Sequence, residues 1–327
     1  MLFKKNTQPF NRQRRFLLLA GASAVVTSAC SNLARTYEAP AYGDMMGTKK
    51  IRHAFGEIEI PIESNRIAVL GLSVVEAVIA LGVQPIAAPG LVIDNFLHLP
   101  ESSKEITDIG HPAQPSLEKI VALKPDLILT SKIYADPEKY SLLSQIAPTV
   151  VCDVEKMTEW KTATRLCAEV LGKEAEADRL ETEYEAKLQK IKAGLSDDSV
   201  RAEVSVVVLY GGGIFALGQD TFSGTVLAET GVARPPRQAT GEQIQISLEL
   251  LDDIDGDFLF VLQPKSQTEI AANLQKALDR MKANPLWQNL KAVQADRIYE
   301  VDAHWYGAGY LAANQILDDV LSAMQSS

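Results

Sequence analysis

Two stretches of this chain match each other: PSLEKIVALKPDLILT at Pro115–Thr130 and ISLELLDDIDGDFLFV at Ile246–Val261. A serine at a helix start accepts hydrogen bonds from unpartnered backbone N–H groups, and a carboxylate in the first turn favours the positive helix end. Each stretch therefore predicts about two turns of helix, then a turn, then a buried strand. The matching positions are Ser116, Glu118 and Asp126 in the first copy, and Ser247, Glu249 and Asp257 in the second.

The spacing between the two copies indicates how the chain is divided. The copies lie 131 residues apart, whereas the repeats of solenoid proteins have periods of about 20 to 50 residues. This spacing predicts two similar lobes, each an α/β unit. A cleft between two lobes is a common place to hold a ligand.

The first 29 residues have the composition of an export signal. Phe16–Val26 is an apolar run that is too short to span a bilayer as a mature helix. Small residues then lead to Cys30 in TSAC, which predicts a lipoprotein cleavage site with Cys30 as the lipidated first residue, although Thr27 stands where leucine is usual. The alternative is an ordinary cysteine beside a plain cleavage site. The basic residues before the apolar run are Lys4, Lys5, Arg12, Arg14 and Arg15.

The export route and the tether follow from the same region. Arg14 and Arg15, followed by an apolar run, also resemble a twin-arginine signal. We expect residues 30–50 to be a lipid anchor and a flexible tether, because they lack periodic apolar residues. Such an anchor would attach the protein to a membrane without spanning it.

The charge of the chain argues against nucleic acid as a partner. Five of the 32 basic residues and none of the 42 acidic residues precede residue 30, so the remainder carries a formal charge of −15. Nucleic-acid binding needs a positive footprint. An anionic small ligand stays possible, because a few local arginines can dominate a cleft.

Two cysteines follow Cys30. An exported protein could join Cys152 and Cys167 in a disulfide. Cys152 ends a predicted strand and Cys167 lies in the middle of a predicted helix, so geometry decides. We expect two buried thiols.

Strands and helices alternate along the body of the chain, which predicts βαβ units and largely parallel sheets. One long helical pattern interrupts this alternation, and a helix of that length would be about 50 Å long at 1.5 Å per residue. We expect it to join two lobes; two helices with a kink at Gly172 are the alternative. The predicted divisions are an N-terminal lobe at 51–157, a linking helix at 158–194 and a C-terminal lobe at 195–327.

Several motifs in this order resemble the substrate-binding lipoproteins of ABC importers for ferric siderophores, which are related to the binding proteins for cobalamin and haem. The resemblance covers the chain from residue 50 to its end. The motifs are ALGVQPIAA (Ala80–Ala88), DIGHPAQPSLEKIVALKPDLILTS (Asp108–Ser131), LLSQIAPTV (Leu142–Val150), NPLWQNLKAV (Asn284–Val293), and DRIYEVD with Trp305 and Gly307 beyond it.

The resemblance implies a fold, partners and a location. The fold would be the class III (cluster A) periplasmic binding protein fold, with two Rossmann-like lobes, mainly parallel sheets and a single long bridging helix. Ligand would lie between the lobes, and the protein would be a periplasmic, membrane-anchored monomer. Glu118 and Glu249 would contact arginine pockets on the permease, which works with its ATPase at the inner membrane. Two exposed carboxylates suit such a dock, although both could be only first-turn helix acids.

Ligand contacts in the first lobe are expected on loops at strand ends. Tyr134 falls where related hydroxamate-binding proteins place a tyrosine, and Lys132 is nearby. The arginine that some of them carry in the loop before the first Ser-Leu-Glu is absent, because Pro112 and Ala113 stand there. The candidate loops of this lobe are Leu72–Ser73, His111–Gln114 and Ser131–Tyr134.

The second lobe supplies the cationic and aromatic candidates. Arg234 and Arg237 lie in GVARPPRQ, where prolines restrict the loop and guanidinium groups can pair with carboxylates; the alternative is a solvated loop. Trp305 and Tyr306 could pack against a chelate or fill the core between the lobes. We therefore expect an anionic, citrate- or hydroxamate-type ferric siderophore, with citrate fitting better. The candidate loops are Tyr210–Phe215, Arg234–Arg237 and His304–Tyr306.

Other functions have less support in the residues. Haem or cobalamin binding on the same fold is the main alternative, and His304 or Tyr210 would be the axial haem ligand. An enzyme is not expected, because the chain has no G-x-S-x-G nucleophile motif. Four histidines without metal-site spacing predict neither a resident metal nor a cofactor.

Overall fold

The structure is a computed structural model that describes residues 47–90, 92, 99–194, 202–210, 213–262 and 269–325, apart from the side chains of Tyr210 and residues 269–274. All of these residues belong to one compact unit. The predicted signal at 1–29, the lipidation site Cys30 and the tether up to residue 46 lie outside the described residues.

The first lobe begins with a hairpin and continues as a parallel sheet. The hairpin turns at Gly56, whose φ of 128° suits a glycine. The sheet order is β5-β4-β3-β8-β9, and every neighbouring pair is parallel. The strands are β1 (Thr48–His53), β2 (Gly56–Pro61), β3 (Ile67–Val69), β4 (Ala87–Ala88), β5 (Thr107–Asp108), β6 (Gly110–His111), β7 (Gln114–Pro115), β8 (Leu127–Ser131) and β9 (Thr149–Cys152).

Helices cover both faces of this sheet, and its strands β3, β8 and β9 are buried along their whole length. All five residues of β8 are buried, as expected for a parallel strand inside an α/β lobe. Alternate residues of its strands belong to different apolar clusters, with Leu127 and Leu129 in one and Ile128 in another. The helices of this lobe are α1 (Leu72–Ala80), α2 (Leu117–Leu123) and α3 (Pro137–Ser144).

The second lobe has a mixed sheet. Its order is β12-β11-β10-β13-β14, in which β10, β13 and β14 are parallel while β11 runs antiparallel to both of its neighbours. The strands are β10 (Val204–Tyr210), β11 (Gly213–Leu217), β12 (Gln243–Ile246), β13 (Phe258–Leu262) and β14 (Ile298–Val301). The helices are α6 (Phe222–Thr230), α7 (Glu269–Lys282), α8 (Lys291–Gln294) and α9 (Tyr310–Gln325).

The segment between the lobes follows the second of the two alternatives for 158–194, two helices that meet at Gly172, and not a single long helix. Two helices occupy it, α4 (Trp160–Leu171) and α5 (Glu174–Gly194), after a single 3₁₀ turn at Met157–Glu159. Gly172 ends α4 in the left-handed conformation with φ 64°, and its N–H donates to Ala168 O. This is how glycine ordinarily terminates a helix. Helix α4 packs on α1 of the first lobe, and α5 packs on α9 of the second.

Of the two matching stretches, only the first has both the helix and the strand that were predicted. In the first copy Ser116 Oγ accepts from Lys119 N at 3.3 Å, α2 follows, and β8 is the buried strand. The second copy keeps the buried strand, β13, but its predicted two-turn helix is wrong. Only a short 3₁₀ helix at Leu251–Ile254 lies between β12 and β13.

The two aspartates of the repeat have matching structural roles. Asp126 accepts hydrogen bonds from Asn65 N and Arg66 N at 2.8–3.0 Å, just before β3. Asp257 accepts from Glu203 N at 2.8 Å, just before β10. Each carboxylate therefore ties the start of its own strand to the start of the neighbouring strand, which explains why both copies carry aspartate there.

The two lobes share an apolar core. The largest cluster of buried residues includes α1, α4 and α9, so it crosses from one lobe to the other. Trp160 lies at its centre, and its ring meets the rings of Tyr184, Phe222 and Tyr310 edge-on at centroid distances of 4.7–5.9 Å. Burial on this scale between the lobes favours a small range of relative motion.

The two later cysteines are buried free thiols, as predicted. Cys152 ends β9 and Cys167 lies in α4, which packs on that strand. A hydrogen bond between the two thiols, followed by burial, raises the pKa of Cys167 well above its ordinary value.

Candidate functional site

A cavity of about 260 Å³ lies between the two lobes. The first lobe lines it with Ile133, which follows β8, and with residues that follow β9. The second lobe contributes the end of β11, the start of α6, the start of β12 and the turn after β14. The lining residues are Ile133, Glu155, Lys156, Met157, Leu217, Asp220, Thr221, Phe222, Ser223, Glu242, Gln243, Trp305, Tyr306 and Gly307.

Two of the predicted ligand residues are tyrosines of opposite lobes: Tyr306 lines the cavity, and Tyr134 lies outside its lining, after β8. Burial, followed by the proximity of Tyr306, raises the pKa of Tyr134. The Tyr134 ring packs on Gly71, where a Cβ would lie 2.4 Å from the ring, and the φ of 102° at Gly71 also requires glycine. Tyr306 lines the cavity and is 50% exposed. An exposed aromatic ring at a cavity mouth is available to a ligand.

Trp305 forms a fixed wall of the cavity. It is fully buried and stacks on Phe260, with ring centroids 4.5 Å apart. Its Nε1–H donates to Asp319 Oδ2 at 2.7 Å, and His304 Nε2 lies 2.7 Å from the same oxygen. Trp305 therefore fills the core, one of the two predicted alternatives, at the border of the cavity. His304, the predicted haem ligand, is buried beside Asp319 with this nitrogen engaged.

Lys132 precedes the lining residue Ile133, lies outside the cavity lining itself and is held by acidic neighbours. Its Nζ is 3.2 Å from Asp153 Oδ1 and also contacts Glu155 Oε1. Hydrogen bonds to Glu155 and then to Asp153 raise the pKa of Lys132. Since Glu155 lines the cavity, much of the lysine charge there is balanced before any ligand arrives.

The two predicted arginines lie outside the described cavity lining. Arg234 Nε donates to Val204 O at 2.7 Å, and Nη2 donates to Leu217 O at 2.5 Å and Gln238 Oε1 at 2.8 Å. Burial lowers the pKa of Arg234 to about 10. Arg237 is exposed, with Nε 3.5 Å from Asp253. Arg234 thus joins β10 to β11, and only its Nη1 is buried without a protein partner.

The glycine-rich segment predicted for the cleft lies at the other end of β11. Tyr210 pairs with Gly213 at the turn between β10 and β11, and its side chain lies outside the described residues. The cavity instead receives Leu217 and the residues that follow it. The prediction placed ligand loops at strand ends between the lobes, but it did not include the loop 218–223, which antiparallel β11 brings to the site.

Sequence reasoning also missed Met157, Phe222 and Gln243, which line the cavity. One signal was present for α6: Thr221 is its N-cap, and Thr221 Oγ1 accepts from Gly224 N at 3.1 Å. A cap after a strand marks a loop at a sheet edge, which could have placed this segment at the site. Gln243 carried no such signal.

The two predicted docking glutamates are exposed, one in each lobe. Glu118 lies in the first turn of α2, and Val121 one turn later is 49% exposed. Glu249 follows β12, and Leu250 beside it is 55% exposed. A hydrogen bond from the Ser247 side chain lowers the pKa of Glu249, so this carboxylate keeps its charge at neutral pH. Each acid therefore has an apolar neighbour at the surface.

Over the described ranges, two structural features are absent. No three His, Cys, Asp or Glu side chains there come together as a metal site. None of the helices in that part of the chain has both the length and the apolar composition needed to cross a membrane.

The chain is similar to several characterised proteins. It is 31% identical over 286 residues to YfiY of Bacillus subtilis (strain 168), a probable siderophore-binding lipoprotein, covering 84% of this chain and 86% of that protein. It is 29% identical over 296 residues to the Fe(3+)-citrate-binding protein YfmC of the same organism, covering 88% and 87%. The structure of Staphylococcus aureus SirA complexed with staphyloferrin B matches with a TM-score of 0.72 at 27% identity, covering 85% and 99%.

The family match covers both lobes. It runs over residues 67–304, from the first strand of the parallel sheet to the turn that borders the cavity, and its description is "periplasmic binding protein". The predicted resemblance and the two-lobed α/β class are confirmed. The chain therefore belongs to the periplasmic binding protein family.

Proposed function

We propose that this protein is the substrate-binding component of an ABC importer that captures a ferric siderophore between its lobes and delivers it to an inner-membrane permease. The cavity between the lobes carries the proposal, because residues of both lobes line it, as a ligand enclosed between them requires. The similarity to YfiY, YfmC and SirA supports the ligand class, since their names specify siderophore, ferric citrate and staphyloferrin B.

The cavity, at about 260 Å³, is smaller than the pockets of about 300–1,000 Å³ that usually hold drug-sized ligands. The chelate would therefore also fill the open part of the cleft beside Tyr134 and Tyr306. Aromatic and thioether surfaces, from Tyr306, Phe222 and Met157, would contact its organic rim.

Charge at the cavity bears on the type of chelate. Lys156 lines the cavity together with Glu155, Asp220 and Glu242, so ion pairs alone do not explain the binding of an anionic ligand. Hydrogen bonds and aromatic contacts would supply most of the affinity. Citrate and hydroxamate chelates both remain in the proposal, and the acidic lining favours the one with less negative charge.

Delivery would use the outer surface of both lobes. Glu118 and Glu249 are separate, exposed carboxylates, which suit a two-point dock on basic pockets of the permease. Lipidation at Cys30 would hold the protein at the membrane where the permease lies, and periplasmic location would follow from the predicted export signal. The ATPase would act on the permease.

Tryptophan fluorescence tests the proposal. The purified protein is titrated with ferric schizokinen, ferric citrate, a ferric catecholate and haem. Each chelator is also titrated in its iron-free form, and quenching is compared between the two forms. We expect saturable quenching by a ferric chelate because Trp305 borders the cavity. A Trp287→Phe variant is the matched control, since Trp287 lies in a different apolar cluster. Quenching by haem alone would move the assignment to haem, and no saturable quenching would remove it.

A further inference from the structure

Glu76 is a fully buried carboxylate that crosses from one lobe to the other. It lies on α1 of the first lobe, and both of its carboxylate oxygens contact the second lobe. Oε2 accepts a short hydrogen bond from Ala308 N, and Oε1 accepts one from Ala312 N at 3.3 Å. These two amides flank the start of α9, the closing helix of the second lobe.

The physical role of these contacts is that of a helix cap supplied by the other lobe. The first N–H groups of a helix have no partner inside it, and its N-terminus carries about +0.5 of an elementary charge. A buried carboxylate is costly unless such donors surround it. The Glu76 carboxylate therefore accepts hydrogen bonds from backbone N–H groups at the start of α9, and both partners lose these bonds once the lobes separate.

Two glycines leave the space for this approach. A Cβ on Gly309 would lie 2.8 Å from Glu76 Cβ and 3.3 Å from its Cδ. A Cβ on Gly307 would lie 3.1 Å from Glu76 Oε2 and 2.3 Å from Ala312 Cβ. The sequence GAG at 307–309 thus fits the carboxylate closely.

The contact adjoins the candidate ligand site through the second lobe and leads to Tyr134 through the first. Gly307 lines the cavity together with Trp305 and Tyr306, immediately before the amide that Glu76 binds. On the other side, α1 begins at Leu72, directly after the glycine on which Tyr134 packs. One side chain therefore connects the turn that carries Tyr306 to the helix that begins after Gly71, the glycine under the Tyr134 ring.

We propose that Glu76 is a positioning residue for ligand binding, which holds the turn at 305–307 and the spacing of the lobes in the binding geometry before the ligand arrives. The proposal rests on the proposed function. It explains why a carboxylate that touches no ligand-facing space is buried at the lobe boundary.

The expected consequence of losing the contact is a cleft that is formed only part of the time. Apparent affinity falls by the fraction of molecules in the competent form. The neutral amide of Glu76→Gln keeps one acceptor oxygen but loses the charge and the second acceptor. We expect Glu76→Gln to weaken binding of the quenching chelate roughly tenfold, within the range of about 5- to 150-fold usual for coupled sites.

The test compares three variants with the natural protein. Glu76→Gln and Gly309→Ala disturb the same contact from opposite lobes, and Glu105→Gln is the control because Glu105 is exposed in the 3₁₀ helix Glu101–Glu105. Chelate affinity is measured by fluorescence quenching, and local opening by hydrogen exchange of the ligand-free proteins at low temperature. If Glu76→Gln does not fold, Gly309→Ala carries the test alone.

The account predicts weaker binding and faster exchange confined to the segment around 305–312 in the first two variants, with no change in the control. A purely structural role would accelerate exchange throughout both lobes and leave the low-temperature affinity unchanged; that result overturns the proposal, as does natural affinity with natural exchange. Failure of the natural protein to bind any chelate removes the proposed function instead. In that event, exchange at 305–312 in Glu76→Gln still decides whether Glu76 holds this turn.

Discussion

Trp305 and Tyr306 are neighbours at the cavity, but truncating them should affect different properties, unfolding free energy for Trp305 and ligand affinity for Tyr306. Trp305 is fully buried and Tyr306 is 50% exposed. An aromatic side chain covers about 200 Å², so a chelate that covers the exposed half of Tyr306 removes about 100 Å² from water. At about 25 cal/mol per Å² this contributes up to about 2.5 kcal/mol, roughly sixtyfold in Kd.

We therefore expect Tyr306→Ala to weaken chelate binding by up to about sixtyfold while the protein stays folded at room temperature. Trp305→Ala should instead cost about 3–5 kcal/mol of unfolding free energy, as large truncations in a core do. Kd is measured by titration calorimetry, and unfolding free energy by urea denaturation. Tyr140→Ala is the matched control, since Tyr140 packs on His53 and Phe55 beside the hairpin, away from the cavity lining. A Tyr306→Ala affinity within threefold of the natural protein's would refute the reasoning.

Three further predictions concern other parts of the chain. Arg234→Met should lower the urea midpoint, because carbonyl groups of Val204 and Leu217 lose a buried donor at about 1–3 kcal/mol, whereas Arg237→Met should not; an unchanged Arg234→Met midpoint would contradict the bracing role. Folding raises the pKa of Cys167, so the unfolded chain releases this proton at a lower pH than the folded protein does. Above about pH 8.5, the natural protein should therefore lose unfolding free energy relative to Cys167→Ala by about 1.4 kcal/mol per pH unit. Parallel stability curves from urea titrations at pH 7–10 would refute this. Glu118→Arg with Glu249→Arg should abolish iron uptake by cells but leave the Kd for the chelate unchanged, and normal uptake would exclude these acids from docking.

Much of the fold could be predicted from the sequence, because local chemistry determines it. Ser116 caps its helix as the serine pattern indicated, and the apolar runs after Asp126 and Asp257 are buried strands. The same pattern misled in the second copy, where Ser247 follows β12 directly and only a 3₁₀ turn fits before β13. Gly172 determines that the linking segment is two helices. Apolar periodicity continues through it, but its left-handed conformation ends the first helix.

The site was harder to predict because tertiary contacts determine the role of each residue. Arg234 has the chemistry of a ligand contact, yet backbone carbonyls of β10 and β11 take its donors. Gln243 and Phe222 enter the cavity because β11 runs antiparallel, a pairing that the alternation of elements does not reveal. Glu76 looks like an ordinary helix glutamate in the sequence, and only the packing of α1 against α9 identifies its partners. Trp305 and Tyr306, predicted from their aromatic rings beside glycines, border the cavity, whereas Tyr134, predicted from the family resemblance, lies outside its lining. Their role as ligand contacts stays a prediction.

A ferric chelate that lies between the lobes can be located directly by anomalous diffraction. Crystals of the protein grown with the chelate that quenches its fluorescence are measured on both sides of the iron absorption edge. The account predicts one anomalous peak per chain, in the cleft beside Tyr134 and Tyr306. A peak elsewhere on the surface, or none in crystals of a complex that binds in solution, would contradict it.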